Sequence, residues 1–189
     1  MPHHREWKYW NTKPEEVTLP EPDLTRKELV RLIATSTQPL NLTGVNLAGI
    51  DLSHLDLSKC KLIYADLTRA NLGGTNLEGA DLTGACLMDC QMDSANLKGA
   101  NLQSADLCYT DLLEASLEDA NLEGANLSQA DLTATHIGGA NLEGANLEGA
   151  HLSKARGIEK ANLKSCIVDF DRDGYTVFWD GTTEKHPAY

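Results

Sequence analysis

Asp169, Asp171, Asp173 and Gly174 reproduce the opening of a calcium loop, D-x-D-x-D-G, in which alternate carboxylates converge on a hard cation. Asp180 holds the twelfth place, where such a loop uses a bidentate Glu. The flanks 167–170 and 175–179 read as strands, and a turn at Asp173-Gly174 between them accounts for the same residues. The expectation is therefore a hairpin with no bound metal. The six histidines are scattered. Five cysteines (Cys60, Cys86, Cys90, Cys108 and Cys166) make an odd number with no C-x-x-C pair, which excludes a complete disulfide set and offers no zinc spacing. Reduced, mostly buried thiols are expected. No nucleophile–base constellation is visible, so the reading is a non-enzyme with no catalytic residue and no cofactor. The residues that offer binding chemistry are apolar ones in a polar setting: Met88, Cys108, Tyr109 and Leu113.

What positions these residues is a repeat. The stretch 139–150 reads GANLEGANLEGA, and its five-residue frame runs unbroken from Leu40 to Lys154. Every fifth residue from Leu42 to Leu152 is Leu, Met or Ile, 23 positions without a polar exception. Two residues earlier stands Leu40, Val45, Ile50, Leu55 or Cys60, and after that mostly Ala. Between these two slots lies Asn or Asp, and after the Leu come a first variable slot and a corner slot. The corner slot holds ten of the fifteen glycines. A period of five fits neither the 3.6 of a helix nor the 2 of a strand. Short extended pieces separated by turns do satisfy it. Residues two apart then point the same way, so Ala and Leu face an axis and Asn faces out. Because His54, Lys59, Tyr64, Arg69 and Asp89 occupy corner slots, the turns are not expected all to require positive φ.

The motif A-(D/N)-L-x-x resembles the pentapeptide-repeat family over about residues 40–155. The resemblance implies four repeats per coil in a right-handed quadrilateral β-helix of nearly six coils, with residue n stacked on n+20. At about 4.8 Å per coil the column is ~28 Å tall. Departures from the motif fall in the Asn/Asp slot at Lys61, Cys86, Gln91, Ser116, His136 and His151. With four-repeat coils Met88 stacks on Cys108, Tyr109 takes the next corner and Leu113 opens the next side. These four form the candidate contact patch, with Ile63 and Tyr64 a lesser pair elsewhere.

The ends differ from the middle. Eight of the ten aromatics lie outside the repeat. Residues 1–22 are a polar segment with Trp7, Tyr9 and Trp10, expected to pack on the protein's own surface. In 23–39, Thr25 and Glu28 form a capping box, and Leu29, Leu32 and Ile33 give one apolar face to a helix from Arg26 to Thr35 that caps the first coil. The β-helix is expected over 40–168. Its frame slips after Ala155, where Arg156, Gly157 and Ile158 suggest a bulge or loop leaving the solenoid. Residues 169–189 are read as a hairpin cap and tail.

The formal net charge is −12, and residues 40–155 hold 16 Asp and Glu against 5 Lys and Arg, a net −11. That argues against direct binding of nucleic acid. No apolar run approaches the ~20 residues that span a bilayer, so no membrane partner is expected. MPHHREWKYW lacks the apolar region of a secretory signal, and the chain is expected to be cytoplasmic and monomeric. The leading functional reading is a protein-interaction or scaffold protein with an unidentified protein partner. The alternative comes from the resemblance: some family members bind gyrase, a type II topoisomerase, through an acidic rod that mimics DNA. Those relatives carry frequent central Phe, which this repeat never does.

Overall fold

The computed structural model describes residues 20–166 and the backbone of two short strands, β1 (Tyr175–Val177) and β2 (Thr183–Lys185). The repeat forms a β-solenoid. Parallel bridges join each Asn/Asp slot to the one four pentapeptides on, from Asn41 with Lys61 to His136 with Arg156. One turn of the solenoid is therefore four pentapeptides. The pentapeptides fall into four stacks, whose first members begin at Asn41, Asn46, Asp51 and Asp56.

Backbone hydrogen bonding dictates this packing, as the repeat at Asn101 shows. Asn101 N–H donates to the Ala80 carbonyl one turn back (2.9 Å), and Leu102 N–H to the Asn121 carbonyl one turn on (2.6 Å). Ser104 N–H donates to the Glu123 carbonyl (2.9 Å), and Ala105 N–H closes the turn on the Leu102 carbonyl (3.0 Å). The fifth donor, Gln103 N–H, has no backbone partner and donates to Oδ1 of Asn101 (3.3 Å). All five donors are satisfied, and the last explains why Asn and Asp dominate their slot.

The corner slots correct one expectation. Every one from Gly44 to Lys154 has positive φ, and the non-glycine members cluster at +56° to +60°. The left-handed region costs an ordinary residue about 1–2 kcal/mol. The corner N–H bond to the next turn and the closing bond of the turn over-determine the conformation, so a bulky side chain is tolerated there.

The core is the two inward series. Every fifth residue from Leu42 to Leu147, Met92 and Ile137 included, is buried, as are the alanines two places before them, while Leu40, Val45 and Leu55 at the foot are partly buried. Where the Ala slot is Thr or Cys, the polar atom turns back to a main-chain carbonyl of the preceding turn. Thr75, Thr110 and Thr135 hydroxyls donate to the carbonyls of Leu52, Leu87 and Leu112 (2.8–2.9 Å), and the Cys90 thiol to that of Leu67 (2.8 Å). Among the described residues no buried side-chain nitrogen or oxygen lacks a partner.

Helix α1 (Arg26–Thr35) forms at the foot of the solenoid, and its capping box is present. Thr25 N–H donates to the Glu28 carboxylate (2.8 Å) and Glu28 N–H to the Thr25 hydroxyl (3.3 Å). Leu29 is fully buried in the common core, with Leu24 and Ile33 packed against it. Leu32 does not share that face as expected and is 41% exposed, as is Val30. The groups just before and within α1 replace a missing lower turn. Asp23 both donates its N–H to the Asn46 carbonyl (2.8 Å) and accepts from Asn46 N–H (2.7 Å). The Arg26 guanidinium donates to the Asp51 and Ser53 carbonyls (2.7 and 2.9 Å). These are backbone groups that an open sheet edge would leave unpaired.

At the far end the frame slips without leaving the solenoid. A 3₁₀ turn at Ile158–Lys160, entered through Gly157 at φ +79°, absorbs the extra residue. The ladder resumes with Asn141 against Asn162, one position beyond the regular interval. β1 pairs antiparallel with β2, Tyr175 opposite Lys185. The segment 167–170, the acidic loop residues Asp169, Asp171, Asp173 and Asp180, and Trp7, Tyr9 and Trp10 lie outside the described residues. Among the described residues no helix is long and apolar enough to cross a membrane.

Candidate interaction surface

Because the repeat consumes its backbone donors and its inward side chains, the outward slots alone are left to carry chemistry. The bridge between Cys86 and Asp106 puts Met88 and Cys108 one turn apart in the first variable slot of the second stack. Both are half-buried. Tyr109 follows at the corner, 42% exposed with φ +60°, and its N–H donates to the Ser128 carbonyl (3.0 Å). Leu113 stands in the same turn of the third stack, 38% exposed, its N–H held by Asp111 Oδ1 (3.0 Å). The four expected residues therefore lie on one L-shaped area that climbs the second stack and turns the corner into the third.

Cys86 belongs to the same area and was not among the expected residues. It replaces Asn or Asp in the outward slot and is half-buried, and its sulfur lies 3.1 Å from the Thr68 hydroxyl. The signal that could have found it is a sulfur where the motif requires a hydrogen-bonding oxygen. Cys108 makes the matching contact with the Ser128 hydroxyl at 3.1 Å. The first variable slot of the second stack, Ala48, Thr68, Met88, Cys108 and Ser128, has no charge before Glu148. Tyr64, with Ile63 the lesser pair, is 69% exposed at the corner between the first and second stacks.

The acidic residues do not converge on one side. Of the 16 between 40 and 155, the four stacks carry three, four, five and four in chain order. Asp89 is paired with Arg69 (3.5 Å) and Glu118 with Lys98 (3.4 Å). Glu143 stacks on Glu123, but Lys164 holds it at 2.8 Å, and hydrogen bonds from Lys164 and Asn162 lower its pKa. Burial pushes the Cys90 thiol up to about 12 and Cys166 up to about 11, so neither is an accessible nucleophile at neutral pH. Among the described residues no group of three metal-ligating side chains comes together.

A family model for pentapeptide repeats matches in eight copies, covering 41–79, 60–99, 95–133 and 125–167. The chain belongs to the pentapeptide-repeat family. No curated protein matches it. Among solved structures, this pentapeptide-repeat protein is similar to a trypsin-treated form of QnrB1, a plasmid-mediated fluoroquinolone resistance protein. The identity is 23%, 67% of this chain and 66% of that one are covered, and the TM-score is 0.57. That likeness is one of fold. A pentapeptide repeat protein of the Arabidopsis thaliana thylakoid lumen is 35% identical over 52% of this chain and 66% of its own, TM-score 0.43. HetL of the cyanobacterium Nostoc, involved in heterocyst differentiation regulation, is 28% identical over 85% and 77%, TM-score 0.39. The chain thus spans 66% of the first two of these structures.

Proposed function

We propose that this pentapeptide-repeat protein is a non-enzymatic scaffold that holds a protein partner through Met88, Cys108, Tyr109 and Leu113. The observation that supports the reading is the grouping of exposed Tyr109 and Leu113 with half-buried Met88 and Cys108 in slots that elsewhere mostly carry Glu, Ser, Thr, Lys or Gly. Tyr is a favoured anchor at protein interfaces because a rigid ring gives much contact area at small entropic cost. The scaffold is a right-handed quadrilateral column of nearly six coils, with α1 closing one end and the C-terminal hairpin the other, in a cytoplasmic monomer. The test is affinity capture from the native host with Met88→Glu and Tyr109→Glu. Loss of the partner with an unchanged circular-dichroism melt supports the patch, and unchanged capture removes it.

A second reading is an acidic rod that occupies the DNA site of a type II topoisomerase. It is favoured by the net −11 over residues 40–155, and QnrB1, a resistance protein of the same fold, makes it worth testing. The even spread of acids over the four stacks supports it less than one continuous acidic side would. A gyrase supercoiling assay decides: no effect at micromolar protein eliminates this reading.

A further inference from the structure

We infer that the Met88–Cys108–Tyr109–Leu113 surface takes a basic, amphipathic segment of its protein partner, one that sets aliphatic side chains between lysines or arginines. The inference rests on the contact-surface reading above and names the partner's chemistry. Over the whole column the acids are spread evenly, but around this surface the balance of charge is not even. In the turns that hold it, 65–74, 85–94 and 105–114, the second and third stacks carry six acids against one base. That base, Arg69, is already held by Asp89 (3.5 Å). Over 60–64, 75–84, 95–104 and 115–119 the first and fourth stacks carry four acids against two bases.

The carboxylates stand beside the apolar members. Asp106 Oδ1 accepts from Cys108 N–H (3.1 Å) and Asp111 Oδ1 from Leu113 N–H (3.0 Å). Asp93 occupies the slot one turn below Leu113, and Glu114 follows it at the corner; both are exposed. Such a rim attracts a basic partner and repels an acidic one, while the apolar centre adds contact that charge alone does not supply. The exposed Tyr109 ring offers a face to a cation, and the Met88 thioether adapts to an aliphatic neighbour. Tyr64 gives the contrast within the molecule. It is the more exposed tyrosine, 69% against 42%, but Lys61 stands in its own repeat and Lys59 at the corner before it. A basic segment is therefore drawn to Tyr109 and not to Tyr64.

The test titrates the full chain into three short fluorescein-labelled peptides, one of alternating Lys and Leu, one of Lys and Ser, and one of Glu and Leu, and reads anisotropy. The Lys–Leu peptide is expected to bind about tenfold more tightly than either of the others. Met88→Ser and Leu113→Ser are each expected to remove that margin, and Tyr64→Ser to leave it. Equal binding of the Lys–Ser peptide overturns the inference, because charge alone then suffices, as it would for an acidic rod on a DNA site. Equal binding of the Glu–Leu peptide overturns it in favour of a partner without basic character, and no binding of the Lys–Leu peptide overturns it outright. A margin that Met88→Ser and Leu113→Ser leave unmoved, or that Tyr64→Ser removes, lies elsewhere on the column and also overturns it. Where a variant fails to fold, hydrogen exchange on the parent decides: the Lys–Leu peptide is expected to slow exchange at 105–114, and unchanged exchange there overturns the inference. Partner capture that Met88→Glu abolishes, with no peptide margin, leaves the scaffold reading standing and overturns this inference alone. A peptide margin with capture unchanged by Met88→Glu supports the chemistry of the surface and removes the scaffold reading.

Discussion

The first and second stacks share one backbone ladder but differ in the side chains that run beside it. In the first stack a chain of amides climbs without a break from Asp81, the position above Lys61. Asn101 donates to Asp81, Asn121 to Asn101, Asn141 to Asn121 and Asn162 to Asn141, at 3.4, 3.0, 3.2 and 2.8 Å. In the second stack Cys86 occupies the slot, and the amide chain starts above it, from Asp106 through Asn126 to Asn146. Each chain of amides begins on Asp because a carboxylate accepts from above and has nothing to donate below. Backbone bridges pass through Cys86 without a break. The amide ladder is therefore an addition to the fold, and a position without it is available for other chemistry. The candidate surface stands at such a position.

The largest effect should come from the core the two stacks share. Ala100→Leu beside the first stack and Ala105→Leu beside the second, both buried, should each cost about 1–3 kcal/mol or more by overpacking. Chemical denaturation checks this. Equal losses say that the core is indifferent to the ladder, and a much smaller loss at Ala105 breaks that equivalence.

Corners come next. Gly84→Ala places a methyl against the Tyr64 ring at φ +62°, whereas Gly99→Ala has the same φ and no neighbour within 4 Å. Gly99→Ala should lose about 1 kcal/mol, the cost of the left-handed conformation alone, and Gly84→Ala more than that. Equal melting temperatures for the two variants would remove the role given to Tyr64.

The ladder itself is tested by exchange. Asn121→Asp deletes the donor to Asn101 and should cost about 0.5–1.5 kcal/mol. Cys86→Asn supplies a donor toward Asp66 and should be neutral or stabilising by a similar amount. If Cys86→Asn destabilises strongly by urea titration, the second stack depends on its sulfur and the comparison fails.

The smallest effect is electrostatic. Glu143 ordinarily titrates at 4.5, and its hydrogen bonds from Lys164 and Asn162 depress that value in the fold. Its contribution is fully present above its ordinary pKa and is lost as pH falls through the depressed value. Lys164→Ala should flatten the acid limb of a pH–stability curve only slightly, since both groups are exposed.

How much of this was legible follows the range of each interaction. The capping box at Thr25 and Glu28 lies within a single helical turn, and α1 lies where that signal and Leu29 place it. The apolar surface was legible as departures from a strict pattern at Met88, Tyr109 and Leu113. Tyr64 and Asp89 argued against positive φ by residue type, and they adopt it because carbonyls of the next turn, those of Thr83 and Cys108, hold their N–H groups. Leu32 fits a helical stripe, but α1 rests on the solenoid mainly through Leu29, with Leu32 turned to solvent.

The period of five, the inward Ala and Leu, the outward Asn and the charge of −11 were determined by the sequence itself, because burial and side-chain alternation act within a single repeat. The turn of four pentapeptides, the left-handed corners, the place of Asp23 and Arg26 at the open edge and the absorbed slip at Ile158–Lys160 were decided by the tertiary structure. Each depends on backbone groups whose partners are remote in sequence and meet them only when the turns stack.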